Sequence, residues 1–128
     1  MEVVCDASSI LAVLLNEEEK SAMIEKTIGK TLIAPNCLQH EIGNALSALM
    51  KRKKLSVVDS VAVFHEYLKI PMKEIEIDIP YALILAGEDT MYAYDAYYMA
   101  CCLRHNFPLL TLDKKLAHCA TERGITCL

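Results

Sequence analysis

Short apolar segments with the length of β-strands alternate along this chain with longer segments whose apolar residues recur at helical spacing. Strands are predicted at residues 2–5, 31–34, 73–77 and 107–112, and helices at about 10–15, 17–27, 36–54, 56–68, 80–86, 92–105 and 113–123. Successive strands lie further apart than a hairpin allows, so the alternation indicates βαβ units and a parallel sheet. Right-handed crossovers then place helices on both faces. The predicted fold class is α/β, a three-layer α/β/α sandwich with a short parallel sheet of four to five strands.

The size and composition of the chain favour one globular domain. Its 128 residues suit a single domain over residues 1–128, which can bury about two-thirds of its surface. Hydrophobic residues make up 54%, which is high for a lone soluble monomer and indicates surface covered by a partner or a second copy. The longest apolar run, residues 96–103, is too short to cross a membrane, and the N-terminal segment lacks the pattern of a secretory signal. We therefore expect a cytoplasmic protein without a membrane partner.

The charge and the cysteine pattern exclude several kinds of site. A net charge of −4 argues against a broad basic face for nucleic acid, although not against local contact through metal ions. The six cysteines show no Cys-x-x-Cys spacing, so reduced thiols are expected rather than disulfides or a zinc site. No serine, cysteine or histidine arrangement typical of a nucleophile is present. The four histidines, expected at or near the surface, are His40, His65, His105 and His118.

Two aspartates directly follow predicted strands. Asp6 comes after the first strand and Asp113 after the last. Ligands of open parallel sheets bind beyond the carboxyl ends of the strands, so both residues are candidates for a site there. The alternative is that each aspartate only caps the helix that follows it.

Two further acids lie on predicted helices without a cation three or four residues away. These residues are Glu41 and Asp95, whereas Glu66 has Lys69 within reach and is typical of an exposed pair. A buried unpaired carboxylate is costly unless it stays protonated or meets a positive charge. The alternatives are an exposed position in the first helical turn for Asp95 and a solvated helix face for Glu41.

If these four acids meet at one edge of the sheet, they repel one another, and a divalent cation resolves that repulsion. Oxygen ligands favour Mg²⁺ or Mn²⁺ over zinc. Such a cation, bound by a few carboxylates and by phosphate oxygens of a substrate, supports hydrolysis of a phosphodiester.

The order and setting of the acids resemble the PIN domain, and within it the VapC-type toxins of toxin–antitoxin pairs. The resemblance covers essentially the whole chain and rests on four motifs in order. They are D-A-S-S-I at Asp6, E-I-G-N-A-L at Glu41, Y-D-A-Y-Y-M-A around Asp95, and T-L-D-K-K-L from Thr111. Each motif alone is weak, whereas the set is specific.

The resemblance implies a role for each matching residue. Asp6 and Asp95 would be the principal metal ligands, with Glu41 and Asp113 completing the acidic centre. Ser8, Asn44 and Thr111 would orient carboxylates or a substrate phosphate, or else serve only in caps and turns. The implied activity is Mg²⁺- or Mn²⁺-dependent cleavage of single-stranded regions of RNA, with a cognate antitoxin and a homodimer as the expected assemblies.

Three surfaces are candidates for contact with partners. The basic residues that could reach the RNA backbone are Lys51, Arg52, Lys53, Lys54, Lys114 and Lys115, although a solvated helix end explains the first four equally well. The apolar residues that offer either a groove for an antitoxin or ordinary core packing are Ile10, Leu11, Leu14, Leu15, Met23, Ile24 and Ile28. Tyr97 and Tyr98 are candidates for a dimer interface.

Two other functions fit parts of the pattern. A phosphotransfer protein of receiver or haloacid-dehalogenase type also carries an aspartate after its first strand. However, Ser8 stands where the dehalogenase type needs a second acid, and no aspartate suits a receiver. A non-catalytic PIN-like binding module is the other alternative, and loss of an acid would be its signature.

Overall fold

A computed structural model of the chain describes residues 1–128. Its strands are β1 (Glu2–Cys5), β2 (Thr31–Pro35), β3 (Met72–Ile75) and β4 (Leu109–Leu110). Its helices are α1 (Ala7–Leu14), α2 (Lys20–Thr27), α3 (Leu38–Lys51), α4 (Val57–Leu68), α5 (Ile79–Asp89), α6 (Ala93–His105) and α7 (Lys114–Glu122).

The four strands form one parallel sheet in the order β3-β2-β1-β4. Val4 pairs with Ile33 on one side and with Leu109 on the other, so β1 is an interior strand. Parallel strands need crossover helices, and the seven helices flank the sheet. The predicted α/β/α fold class is confirmed.

The burial of β1 on both faces explains why its residues 3–5 are all apolar. Val3, Val4 and Cys5 have no exposed surface, because helices cover both faces of the sheet. The buried hydrophobic residues form one cluster of 26. Helix α6 contributes six buried residues from Ala96 to Cys102, as its apolar sequence predicts. None of the helices is long and apolar enough to span a membrane.

Side-chain caps fix where the helices begin. Asp6, Ser56, Asp78 and Asp113 each accept a hydrogen bond from a backbone N–H in the first turn of the helix that follows. Such caps satisfy N–H groups that have no partner within the helix. The caps at Asp6 and Asp113 matter most here, because they position carboxylates at the carboxyl ends of β1 and β4.

Several element boundaries differ from the sequence predictions. Strand β4 covers only residues 109–110 instead of 107–112, because Pro108 has no N–H to donate and Thr111 turns its side chain toward Asp6. Helix α3 stops at Lys51 rather than 54, and Lys53 has a left-handed backbone. Helix α5 runs three residues beyond 86. A single bridge between Leu109 and Cys127 stands in place of a fifth strand.

Candidate active site

Asp6 is a buried carboxylate at the carboxyl end of β1. Its residue is 5% exposed, and its backbone N–H still pairs with the Leu110 carbonyl of β4. Its Oδ1 accepts a hydrogen bond from the Ser9 N–H at 3.0 Å, which is the cap of α1. The capping role proposed as an alternative is therefore present. It is compatible with a site, because the second oxygen, Oδ2, faces away from that cap toward β4.

Two hydroxyl groups complete the surroundings of Asp6. Ser8 Oγ donates to Asp6 Oδ1 at 2.7 Å, and Thr111 Oγ1 donates to Asp6 Oδ2. The Leu112 N–H in turn donates to Ser8 Oγ at 2.9 Å, which ties the loop after β4 to α1. Burial raises the pKa of Asp6, while the bonds from Thr111, Ser8 and Ser9 lower it in part. The expected orienting role of Ser8 and Thr111 thus has a direct geometric basis.

Glu41 lies in the first turn of α3 and is half-buried rather than on a solvated face. The Tyr98 hydroxyl of α6 donates a hydrogen bond to its Oε2 at 2.7 Å. Burial raises the pKa of Glu41, the Tyr98 bond lowers it, and the charges of Asp6, Asp95 and Asp113 raise it further. The charges of all three aspartates therefore act on the Glu41 carboxylate.

Asp95 lies in the first turn of α6, as one alternative predicted, but it is half-buried. Burial raises its pKa first, and the charges of Asp113 and Asp6 add to that effect, while Lys115 lowers it. Asp113 is exposed and caps α7 through bonds to the Lys115 and Leu116 N–H groups. The structure thus brings the four acids together at the edge of the sheet where the strands end.

No cationic side chain forms an ion pair with the acidic cluster, which is defined here as Asp6, Glu41, Asp95 and Asp113, although the charge of Lys115 acts on Asp95. The ion pairs of the protein lie elsewhere, between Lys69 and Glu66, Arg104 and Asp78, and Arg123 with Glu88 and Asp89. Hydroxyl and N–H groups hold Asp6 and Glu41, and these donors leave the negative charge in place. The cluster is therefore a site of concentrated negative potential.

The donor chemistry of the cluster fits a hard divalent cation. Its potential ligands are all carboxylate oxygens, which Mg²⁺ and Mn²⁺ prefer. The side chains are not closed around one point, since no group of three or more His, Cys, Asp or Glu residues is arranged as a ready metal cage. Mg²⁺ typically binds through one or two carboxylates, waters and substrate phosphate, so an open arrangement suits it. Asp6 and Asp95 are the residues that would hold it.

Other predicted site residues have different outcomes. Asn44 is exposed and makes no side-chain hydrogen bond to the cluster, so its expected orienting role has no contact behind it. Lys114 and Lys115 are exposed at the start of α7, beside Asp113. The run 51–54 is also exposed, with Lys51 in the last turn of α3 and the other three residues after it. The four histidines are exposed, as predicted.

The cysteines are all free thiols, in agreement with the prediction. Cys37, next to the cluster, has its pKa raised to about 12 by burial and then by the charge of Glu41. A thiol with that pKa is protonated at neutral pH and is a poor nucleophile. The chemistry of this edge of the sheet is therefore that of its carboxylates.

Tyr98 is the site residue that the sequence analysis did not identify, and its burial excludes it from direct contact in the dimer interface expected around Tyr97 and Tyr98, while the interface itself stays a prediction. It is 1% exposed, so no second chain can reach it. The signal available in the sequence was its position three residues after Asp95, which puts both side chains on the same side of α6.

The apolar residues that were candidates for an antitoxin groove include both buried and exposed side chains. Ile10 and Met23 are core residues, whereas Ile24 and Ile28 are exposed.

Comparison with known proteins agrees with this geometry. The family model described as PIN domain matches residues 3–122. "VapC ribonuclease Mb0985" of Mycobacterium bovis is 27% identical over 115 residues, which are 90% of this chain and 88% of that protein. The crystal structure of PAE2754 from Pyrobaculum aerophilum superposes with a TM-score of 0.76 and 20% identity, covering 99% of this chain and 83% of that one.

A second solved structure has the same fold. It is the crystal structure of VapBC2 from Rickettsia felis bound to a promoter DNA fragment, and it superposes on this chain with a TM-score of 0.68 at 11% identity. The match covers 100% of this chain and 98% of that one. The family model spans nearly the whole sequence and includes all four acids, and the α/β/α fold agrees with it. The chain therefore belongs to the PIN domain family.

Proposed function

We propose that this protein is a Mg²⁺- or Mn²⁺-dependent endoribonuclease that acts as the toxin of a toxin–antitoxin pair. The observation that carries the proposal is the convergence of Asp6, Glu41 and Asp95, each with a raised pKa and none in an ion pair. Similarity to a VapC ribonuclease supports RNA as the substrate. A binding module without catalysis would have no need to keep uncompensated acids together.

The proposed reaction is hydrolysis of a phosphodiester bond. Water attacks phosphorus, the bond from phosphorus to one sugar oxygen breaks, and that oxygen takes up a proton. A bound divalent cation supplies charge shielding for the phosphate and lowers the pKa of water. Asp6 and Asp95 hold the cation, while Ser8 and Thr111 keep Asp6 oriented. The proton that the attacking water loses is matched by the proton that the leaving sugar oxygen gains.

The wider proposal concerns assembly and location. Residues 1–128 act as one domain, a cognate antitoxin silences the activity, and the protein works as a homodimer in the cytoplasm. Exposed apolar side chains on α4 and α5 support protein partners, and they are Val57, Val58, Val61, Leu68, Ile79, Leu83 and Ile84.

RNA cleavage by purified variants tests the proposal. The wild type is assayed on total RNA after chelation of metals and again after addition of Mg²⁺ or Mn²⁺. Asp6→Asn and Asp95→Asn are expected to abolish cleavage and growth inhibition while keeping the native circular dichroism spectrum. Asp59→Asn is the matched control, because Asp59 is also an acid in a first helical turn, on α4, but is exposed. It should cleave like the wild type.

Two results would end this proposal. One is a wild-type protein that cuts no RNA with either metal. The other is cleavage by Asp6→Asn and Asp95→Asn at the wild-type rate. Calorimetry that detects no divalent ion binding would favour the non-catalytic binding module, and stable labelling of Asp6 by acetyl phosphate would favour the phosphotransfer alternative.

A further inference from the structure

Tyr98 joins the interior of α6 to the acidic cluster. Its side chain is among the largest that are fully buried, and its hydroxyl donates to Glu41 Oε2 at 2.7 Å. The two residues are 57 positions apart, so the bond connects α6 with α3. It is the only hydrogen bond that the structure gives to the Glu41 carboxylate.

The chemistry of this bond has a fixed direction. The Tyr98 hydroxyl is the donor, and the ionised Glu41 carboxylate, which has no proton to give, accepts. A phenylalanine would fill the same core volume without needing a partner in a buried position. The hydroxyl is thus an addition that core packing alone does not require.

The bond also holds Glu41 without neutralising it. A lysine or arginine at this place would cancel the charge of the carboxylate, whereas a phenol only orients it. Asp6 is held in the same way, by the hydroxyls of Ser8 and Thr111. Neutral donors restrain the freedom of both carboxylates and keep their full charge available for a cation.

We infer that Tyr98 is a positioning residue that fixes the Glu41 carboxylate in the acidic cluster for binding of a divalent cation. This inference rests on the proposed function, since it assigns Glu41 to the same cation site. Groups that orient metal-binding side chains typically contribute 10–100-fold to metal affinity. Removal of the Tyr98 hydroxyl should therefore weaken cation binding through Glu41, although Tyr98 itself does not touch the cation.

The experiment measures Mn²⁺ binding by calorimetry, without RNA, in four proteins besides the wild type. They are Tyr98→Phe, Glu41→Gln, the double variant, and Tyr67→Phe. We expect Tyr98→Phe to weaken Mn²⁺ affinity about 10-fold. The double variant should bind no more weakly than Glu41→Gln alone, because Tyr98 acts through Glu41. Tyr67→Phe removes another phenol that is 4% exposed, on α4, and should keep wild-type affinity.

A second variant covers the case in which Tyr98→Phe does not fold. Glu41→Asp keeps the charge and the tyrosine but draws the carboxylate back by one methylene, away from the hydroxyl. It should also lose Mn²⁺ affinity. Wild-type affinity in folded Tyr98→Phe, or in Glu41→Asp when the former is unfolded, overturns the inference. So does a double variant in which the two losses add.

These outcomes separate the inference from the proposed function. If Tyr98→Phe binds Mn²⁺ like the wild type and the wild type cleaves RNA, only the inference fails. If the wild type binds Mn²⁺ and Tyr98→Phe does not, but no RNA is cut, the inference holds and the proposed reaction fails. A wild type that binds no Mn²⁺ without RNA overturns the inference, and the cleavage assay then decides the proposed function separately.

Discussion

Thr111 donates a hydrogen bond through its hydroxyl to Oδ2 of Asp6, a residue 105 positions earlier in the chain. The same Thr111 oxygen accepts the Asp113 N–H at 3.0 Å and lies 3.3 Å from Ser8 Oγ. One short side chain therefore links the end of β4 and the cap of α7 to the carboxylate that follows β1. The position of Asp6 depends on this link as much as on its own strand.

Thr111→Val should damage both stability and activity. Valine has nearly the shape of threonine, so the change leaves most of the packing but removes the bond to Asp6 and the acceptor of the Asp113 N–H. A hydrogen bond to a charged group contributes about 1.5–3 kcal/mol, so the free energy of unfolding should fall by about that amount. Cleavage of RNA should fall about 10-fold, because Asp6 loses a donor that orients it. Urea unfolding and cleavage rates measure the two effects.

The control for that change is Thr121→Val on α7. Thr121 Oγ1 donates to the Ala117 carbonyl on an exposed surface, far along the helix from the cluster. Its loss should leave cleavage unchanged. Wild-type cleavage by Thr111→Val would show that Asp6 is positioned without the threonine.

Glu41→Gln should stabilise the metal-free protein at neutral pH. The pKa of Glu41 is raised by burial and by three neighbouring aspartates. The folded state therefore binds more protons than the unfolded state above the ordinary pKa of 4.5. Stability is then lost as pH rises through the folded-state pKa. Glutamine does not titrate and can still accept the Tyr98 bond, so it avoids this loss.

Thermal unfolding in the presence of a chelator measures the effect of Glu41→Gln. Its Tm should exceed that of the wild type by a few degrees at pH 7, and the gap should close as the pH falls toward 4.5. Glu66→Gln, which changes an exposed glutamate paired with Lys69, should follow the wild-type pH profile. A Glu41→Gln variant that is less stable than the wild type at pH 7 would contradict mutual repulsion in the cluster.

Added Mn²⁺ should reverse the loss of stability with rising pH that the acidic cluster causes in the metal-free protein. A cation that binds only the folded state stabilises it by RT ln(1 + [L]/Kd), or roughly 1.4 kcal/mol at ten times Kd. Binding requires ionised carboxylates, so this gain grows as the pH rises. Differential scanning fluorimetry should show an upward Tm shift in the wild type at pH 7. Asp6→Asn and Asp95→Asn should show none, and an equal shift in either variant would exclude it as a ligand.

The order of elements, and the position of Asp6 and Asp113 at the carboxyl ends of strands, were predictable because both follow from local rules. Strands covered on both faces are apolar runs, and the carboxyl ends of parallel strands meet at one edge. Asp6 and Asp113 were identified from their position after β1 and β4. The capping alternative is correct for both residues, since Asp6 caps α1 and Asp113 caps α7, and their role in a metal site stays a prediction.

The remaining contacts depend on tertiary packing that no local pattern specifies. Tyr98 lies on the same side of α6 as Asp95, but only the docking of α6 against α3 brings its hydroxyl to Glu41. Asn44 lies three residues after Glu41, nearly one helical turn, yet it is exposed. Small rotations of α3 about its axis decide such outcomes, and the sequence of α3 does not encode them.

Lys115→Gln should weaken RNA binding without destabilising the protein. Lys114 and Lys115 open α7, where the positive end of the helix dipole disfavours cations, so their presence there has no benefit for the helix. Lys115 is also close enough to lower the pKa of Asp95. The binding assays use catalytically inactive Asp95→Asn as the parent and measure the slope of the logarithm of the RNA binding constant against the logarithm of the salt concentration. Lys115→Gln should reduce the magnitude of that slope by about 0.7, the value expected for the loss of one phosphate contact. Lys26→Gln on α2 should keep the parent's slope, and an unchanged slope for Lys115→Gln would exclude contact with the backbone.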